Sequence, residues 1–210
     1  MYIAIIGNVG AGKSTLLNSL KQELDHNSFH FLEEPVEEWR KITDEKGINP
    51  LEYFYKEPKK YAFNLQVLAF ITRLNTIQKA QRDHPNKHHL SERCLEEDRH
   101  VFARKLNAGG MITNIEYKTY LAWYETQVIK PDLLFYIETP VDVCLERIRM
   151  RDRPEELSIG KNYIESLERY YTQFVLTNNI RLIKLDGRKS VERLTEDIIC
   201  FMGINNIILS

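Results

Sequence analysis

Cysteine is scarce in this sequence, with three in 210 residues: Cys94, Cys144 and Cys200. An odd number at wide spacings builds neither a disulfide framework nor a zinc ligand set, and points instead to a reducing compartment, the cytoplasm. An excess of charge of one sign is missing too. With 29 basic and 30 acidic residues the formal net charge is -1, so no overall positive field draws the chain to polymeric nucleic acid or an acidic membrane. No apolar run approaches the roughly 20 residues of a membrane span, and with the first predicted strand starting almost at once no presequence is expected within the residues before Gly7. Internal repeats and low-complexity tracts are absent. The expectation is a soluble protein with a small anionic or neutral ligand.

What is present suffices for one substantial core, at 43% hydrophobic residues, so residues 1–210 are expected to form a single domain with a mobile lid. Tyr2 to Ile6 is a short apolar run that ends on a glycine, the pattern of a buried parallel strand. Similar runs at Phe29 to Glu33, His88 to Ser91, Leu133 to Ile137 and Ile180 to Leu185 alternate with helical patterns, including one over Ser14 to Leu24. That alternation predicts an α/β layered fold with a parallel sheet. The polar stretches Gln81 to His89 and Arg149 to Gly160 read as surface loops. His88 and His89 lack a nearby third ligand in sequence and read as a strand edge. Ile204 to Ser210 fits either a docked tail or an edge segment.

The longest helical pattern runs from Lys59 to Gln81, where Phe63, Val67, Phe70, Leu74 and Ile77 recur at spacings of three and four and are expected to face the core. Beside them runs a second stripe, Ala62, Gln66, Ala69 and Arg73. Its small and polar residues suit either a pocket wall or an ordinary boundary between buried and solvated faces. Gln66 and Arg73 share nearly one bearing, about 10.5 Å apart along the axis.

The most specific motif is Gly7-Asn8-Val9-Gly10-Ala11-Gly12-Lys13-Ser14, followed by Thr15, which meets G-x-x-x-x-G-K-[ST] between a predicted strand and a predicted helix. Glycines let successive backbone N–H groups wrap a phosphate chain, and the helix N-terminus adds partial positive charge. Lys13 is expected to reach the β and γ phosphates of ATP, and Ser14 to ligate Mg²⁺. The guanine-reading N-K-x-D motif and the long Walker B strand of ATPases are both missing, so a small-molecule kinase fits better than a GTPase or a motor. Consistent with a kinase, Glu34 and Trp39 follow the second strand, and Glu92, Arg93 and Asp98 follow the third, where open α/β sheets bind ligands. There Glu34 can accept a proton and Arg93 can hold a phosphoryl oxygen. Arg147, Arg149, Arg151 and Arg153 fit either cations gathered at a helix C-terminus or a lid that closes over transferring phosphate.

The combination GNVGAGKST, EPVEEW, YKEPKKYAFNLQVLAFITR from Tyr55 to Arg73, ERCLEEDRHVF and RIRMRDRPEE resembles the deoxynucleoside kinase family from Tyr2 to about Thr177. The resemblance implies a P-loop kinase fold with a five-stranded parallel sheet flanked by helices, an arginine-rich lid over about 149–160, and a homodimer. It implies transfer of the ATP γ-phosphate to the 5'-hydroxyl of a deoxyribonucleoside in nucleotide salvage. In that reading Glu34 is the base, Arg93 bridges the 5'-oxygen and the moving phosphoryl group, and Glu92 holds Mg²⁺ through water. Arg147, Arg151 and Arg153 form the lid, and Tyr55 and Glu156 hold the 3'-hydroxyl. Gln66 reads the base, Phe102 stacks on it, and Trp39 and Phe54 shape its pocket. An Arg73–Asp98 pair beside Gln66 fills the space a thymine methyl group needs, which favours deoxyadenosine, deoxyguanosine or deoxycytidine over thymidine. Leu65 and Cys94 depart from the family's frequent phenylalanine and serine, and Asp186 to Arg188 falls where an adenine-binding loop is expected. The alternatives are a nucleoside monophosphate kinase of thymidylate-kinase type and a non-catalytic protein on the same fold.

Overall fold

A computed structural model of the chain describes residues 1–153, 156, 159–205 and 207. Part of the expected lid (154, 155, 157 and 158) and of the C-terminal segment (206 and 208–210) lies outside the described residues. Five parallel strands form one sheet in the order β2-β3-β1-β4-β5. They are β1 (Tyr2–Gly7), β2 (Phe29–Leu32), β3 (His88–Glu92), β4 (Leu133–Glu138) and β5 (Arg181–Asp186). Each lies within two residues of its sequence expectation. The third extends to Glu92, which pairs with Ile5.

Because side chains alternate along a strand, β1 feeds two cores. Ile3 and Ile5 point to the layer formed by α1 (Lys13–Glu23), α8 (Val141–Arg151) and α10 (Val191–Ile204). Tyr2, Ala4 and Ile6 point to the other layer, formed by α4 (Pro58–Asp83), α7 (Asn114–Gln127) and α9 (Lys161–Thr177). The short helices α2 (Val36–Lys41), α3 (Pro50–Lys56), α5 (Leu95–Glu97) and α6 (Arg104–Ala108) lie in the connections. Between α5 and α6 the chain forms a π-helix over Asp98–Ala103. Among the described residues, no helix is long and apolar enough to cross a membrane.

The α4 stripe needs correction. Phe70, Leu74 and Ile77 are buried as expected, but Phe63 and Val67 are only half-buried, whereas Ala62, Gln66, Ala69 and Arg73 are all buried. The first turns of α4 flank the cavity described next, so their most enclosed face is the small and polar one.

Candidate active site

A cavity of about 750 Å³ opens at the C-terminal ends of the strands, between the loop after β1 and the first half of α4. That volume is of the size that encloses a small organic ligand. All four residues of the polar α4 stripe line it, which decides that stripe in favour of a pocket wall.

At one end, β1 stops at Gly7 and the chain turns through Gly10, whose φ is +79°. A Cβ at Gly10 would lie 2.4 Å from the Cys144 carbonyl oxygen on α8, so that position needs glycine for both space and backbone conformation. Asn8 fixes the loop from inside: its Nδ2 donates to the Ile164 carbonyl at 3.0 Å and its Oδ1 accepts the Val9 N–H at 2.9 Å. Lys13 folds back over the loop, with Nζ donating to the carbonyls of Gly7 at 2.9 Å and Asn8 at 2.8 Å. Burial, reinforced by the positive charge of Arg93, lowers the Lys13 pKa to about 8. Ser14 Oγ donates to Glu92 Oε1 at 2.9 Å. Burial and the neighbouring charge of Glu34 push the Glu92 carboxyl above its ordinary value.

At the other end of the cavity, one oxygen of Glu34 meets two guanidinium groups, Arg93 Nε at 3.0 Å and Arg73 Nη2 at 2.8 Å. Arg73 also forms a close ion pair with Asp98. Burial alone raises the Glu34 carboxyl, yet Arg93, Arg73 and Lys13 outweigh it and hold the group below the usual carboxylate range. Arg93 itself sits at φ +67°, a left-handed conformation that costs a non-glycine residue roughly 1–2 kcal/mol. The structure holds it there by a bond from the Arg93 N–H to the Ile5 carbonyl at 2.9 Å and from Ser91 Oγ to the Arg93 carbonyl at 2.7 Å. Strain of this kind collects at functional sites.

Trp39, Phe54, Tyr55, Gln66, Arg73, Asp98, Phe102 and Glu156 all line the same cavity as Lys13 and Ser14. Trp39 is fixed by a bond from its Nε1 to Thr72 Oγ1 at 3.0 Å. Gln66 and Tyr120 are both buried and their polar side-chain atoms approach each other, yet Gln66 Nε2 makes no hydrogen bond of ordinary geometry among the described residues. Phe102 carries the Arg93 guanidinium over its ring at 4.7 Å, a contact beyond the expected stacking on a base. The π-helix sets Asp98 toward Arg73 and Phe102 beneath Arg93, and no periodicity in the sequence announces it.

Of the arginines, Arg147 donates to the carbonyls of Ala11 at 3.0 Å and Gly187 at 2.9 Å, joining the phosphate loop to the turn after β5. Arg151 and Arg153 both reach Glu156. All three line the cavity, as does Leu65; Cys94 is fully buried. Past Gly187, Lys189 and Val191 also line it. Reading the sequence missed Tyr163, which lines the cavity, and the buried pair Glu97 and Tyr171 behind Gly7 and Arg93. Glu97 lies inside a quoted motif and ends a strand-to-helix step, but its company depends on the packing of α9.

Residues 3–207 match the sequence pattern of the deoxynucleoside kinase family. The chain is similar to a probable deoxycytidine kinase of Fowlpox virus (strain NVSL), 34% identical over 181 residues that cover 84% of this chain and 72% of the viral protein. It is also similar to the deoxyadenosine kinase of Dictyostelium discoideum, 30% identical over 196 residues covering 91% and 74% of the two chains. Among solved structures, deoxyadenosine kinase from M. mycoides with dCMP and dCDP bound aligns with a TM-score of 0.82 at 28% identity, over 97% of this chain and 99% of that one.

Proposed function

Since this chain belongs to the deoxynucleoside kinase family of ATP-dependent phosphotransferases, we propose that it transfers the γ-phosphate of ATP to the 5'-hydroxyl of deoxyadenosine, deoxyguanosine or deoxycytidine, in preference to thymidine, as a step of nucleotide salvage. The observation that carries this reading is the Glu34 carboxylate held between Arg93 and Arg73 in the same cavity as Lys13. The sugar enters with its 5'-hydroxyl toward Glu34, and Tyr55 and Glu156 hold the 3'-hydroxyl. Gln66 supplies an amide donor and acceptor to the base edge, and Trp39, Phe54 and Phe102 enclose the ring.

On the donor side the loop amides from Gly7 to Thr15 wrap the phosphates, and Lys13 exchanges its two carbonyl partners for β and γ oxygens. Ser14 Oγ and Glu92 Oε1 lie 2.9 Å apart; these hard oxygen donors would suit magnesium, Ser14 holding it directly and Glu92 through water. A magnesium ion held there would neutralise phosphate charge. Glu34 orients the 5'-hydroxyl and receives its proton, while Arg93 grips the phosphoryl group in flight. Because such transition states are loose, the proton leaves late, and a base of low pKa suffices when it is well positioned. Arg147 at the phosphate loop, with Arg151 and Arg153 from the expected lid, faces the phosphates, and the chain acts as one catalytic domain.

The pairing of cations at the acceptor end also favours a nucleoside over a nucleoside monophosphate. Arg73 and Arg93 are already neutralised by Asp98 and Glu34, leaving little positive charge there for an acceptor phosphate. The M. mycoides relative, named a deoxyadenosine kinase, has been solved with dCMP and dCDP and with dCTP, which suits a site accepting adenine and cytosine. The exposed apolar side chains Ile71 on α4 and Ile115 and Trp123 on α7 suit a homodimer, and three unpaired cysteines suit the cytoplasm. A steady-state assay of the four deoxynucleosides against their monophosphates tests the reading. Turnover of a non-thymidine nucleoside is expected to lead, and faster turnover of any monophosphate would overturn it.

A further inference from the structure

Glu97 takes no part in the chemistry described above, although its side chain is completely buried at the end of α5, against the reacting groups. Its Oε1 accepts the Gly7 N–H at 3.1 Å, lies 3.2 Å from Arg93 Nη1, and accepts a close hydrogen bond from the Tyr171 hydroxyl. Tyr171 on α9 is equally buried. Its hydroxyl oxygen stands 2.7 Å from the Gly7 carbonyl oxygen and accepts from Arg93 Nη1 at 3.3 Å. One carboxylate and one hydroxyl therefore join the first residue of the phosphate loop to Arg93.

Stability alone is a poor reason for this arrangement. Removing a carboxylate from water is costly unless its lone pairs are satisfied, and Glu97 Oε2 makes no hydrogen bond among the described residues. What the pair does achieve is a fixed distance between two parts of the site that belong to different strands. Gly7 ends β1 and Arg93 follows β3, and the only groups reaching both are Glu97 and Tyr171 among the described contacts.

We propose that Glu97 and Tyr171 are positioning residues for phosphoryl transfer: they lock the Arg93 guanidinium against the phosphate loop, so that donor phosphates and acceptor oxygen stay in register. The proposal rests on the reading of Arg93 as the group that grips the transferring phosphoryl. The hydroxyl of Tyr171 has one proton and two acceptors in reach, Glu97 and the Gly7 carbonyl. While Lys13 donates to the Gly7 carbonyl, that proton serves Glu97. When Lys13 turns to phosphate, the carbonyl loses its donor, and the Tyr171 hydroxyl is placed to replace it.

The test is steady-state kinetics of Glu97→Gln and Tyr171→Phe, both near-isosteric, on whichever deoxynucleoside the unsubstituted chain turns over fastest. Loss of one charge-assisted contact to Arg93 is expected to lower kcat about tenfold or more in Glu97→Gln, while KM for the deoxynucleoside stays within about threefold because base and sugar contacts lie elsewhere. Tyr171→Phe is expected to lower kcat and to raise KM for ATP. In an Arg93→Lys background the Glu97→Gln loss should shrink to about threefold or less, since both changes remove the same coupling. An unaltered kcat in Glu97→Gln, or a full additional loss in the Arg93→Lys background, overturns the positioning role. Normal turnover by Arg93→Lys alone overturns both this proposal and the reading of Arg93. A disabled Arg93→Lys beside an unaffected Glu97→Gln overturns the positioning role and leaves that reading standing.

Discussion

The carboxylate oxygen Oε1 of Glu34 lies 3.0 Å from Nε of Arg93. Arg73 reaches the same oxygen at 2.8 Å, so a buried acid is kept ionised by two cations that are themselves buried. The consequence is a carboxylate whose orientation is fixed by two ion pairs, which is what the proposed role of Glu34 as the base requires. A carboxylate so stabilised is a weak base at rest, which agrees with a reaction in which the acceptor proton moves late and placement dominates.

The same burial that encloses Glu34 also acts on Lys13, with the opposite sign for its charge. Lys13 is protonated below its pKa, which burial sets to about 8, and only the charged form attracts phosphate. Raising the pH from about 7.5 to about 9 is therefore expected to weaken ATP binding to the free protein about eightfold, the ratio of the charged fractions. Calorimetric titration with ATP and magnesium at the two pH values measures this directly. Equal affinities would mean that Lys13 titrates well above that range.

Base preference is expected to follow the Arg73–Asp98 pair. Removing Arg73 alone would strand a buried carboxylate, so both partners must go together. In Arg73→Leu/Asp98→Ala the space beside Gln66 opens. The ratio of kcat/KM for thymidine to that for deoxycytidine should rise about tenfold or more, the scale on which pocket shape discriminates by a methyl group. Absolute turnover is expected to fall, because Arg73 also holds Glu34. An unchanged ratio would separate base choice from this pair.

Gly10 offers a test of the loop itself. An alanine there must adopt φ +79° and place its Cβ 2.4 Å from the Cys144 carbonyl. Gly10→Ala is expected to destabilise the fold by more than about 1 kcal/mol, seen as a fall of about 2–4 °C or more in Tm, and to weaken ATP binding. Differential scanning calorimetry reads the first and titration the second. An undiminished Tm would show that α8 can withdraw from the loop at little cost.

Much of this site was legible in the sequence because its signals are local. The phosphate loop is a contiguous motif, and Glu34, Glu92 and Arg93 lie just past apolar runs that end at the ligand-binding edge of a parallel sheet. The Ala62, Gln66, Ala69, Arg73 stripe was readable as a helical face, though only the fold shows what it borders. Glu97 and Tyr171 were not legible, since they are 74 residues apart in sequence and meet only when α9 packs beside α5. Nor was the π-helix over Asp98–Ala103, because one widened turn leaves no periodic trace in six residues. Arg147 reads as one of a row of cations, whereas its bonds to Ala11 and Gly187 come from the fold of α8 over the loop.

The most direct test of the account is Glu34→Gln, which keeps the shape of the side chain and removes its ability to take the 5'-hydroxyl proton. Single-turnover and steady-state kinetics with ATP and the preferred deoxynucleoside, alongside a nucleoside binding isotherm, separate chemistry from binding. The account predicts a fall in turnover of at least about a hundredfold, the low end for loss of a general base, with nucleoside affinity largely intact. Turnover close to that of the unsubstituted chain would contradict it and remove Glu34 from the reaction.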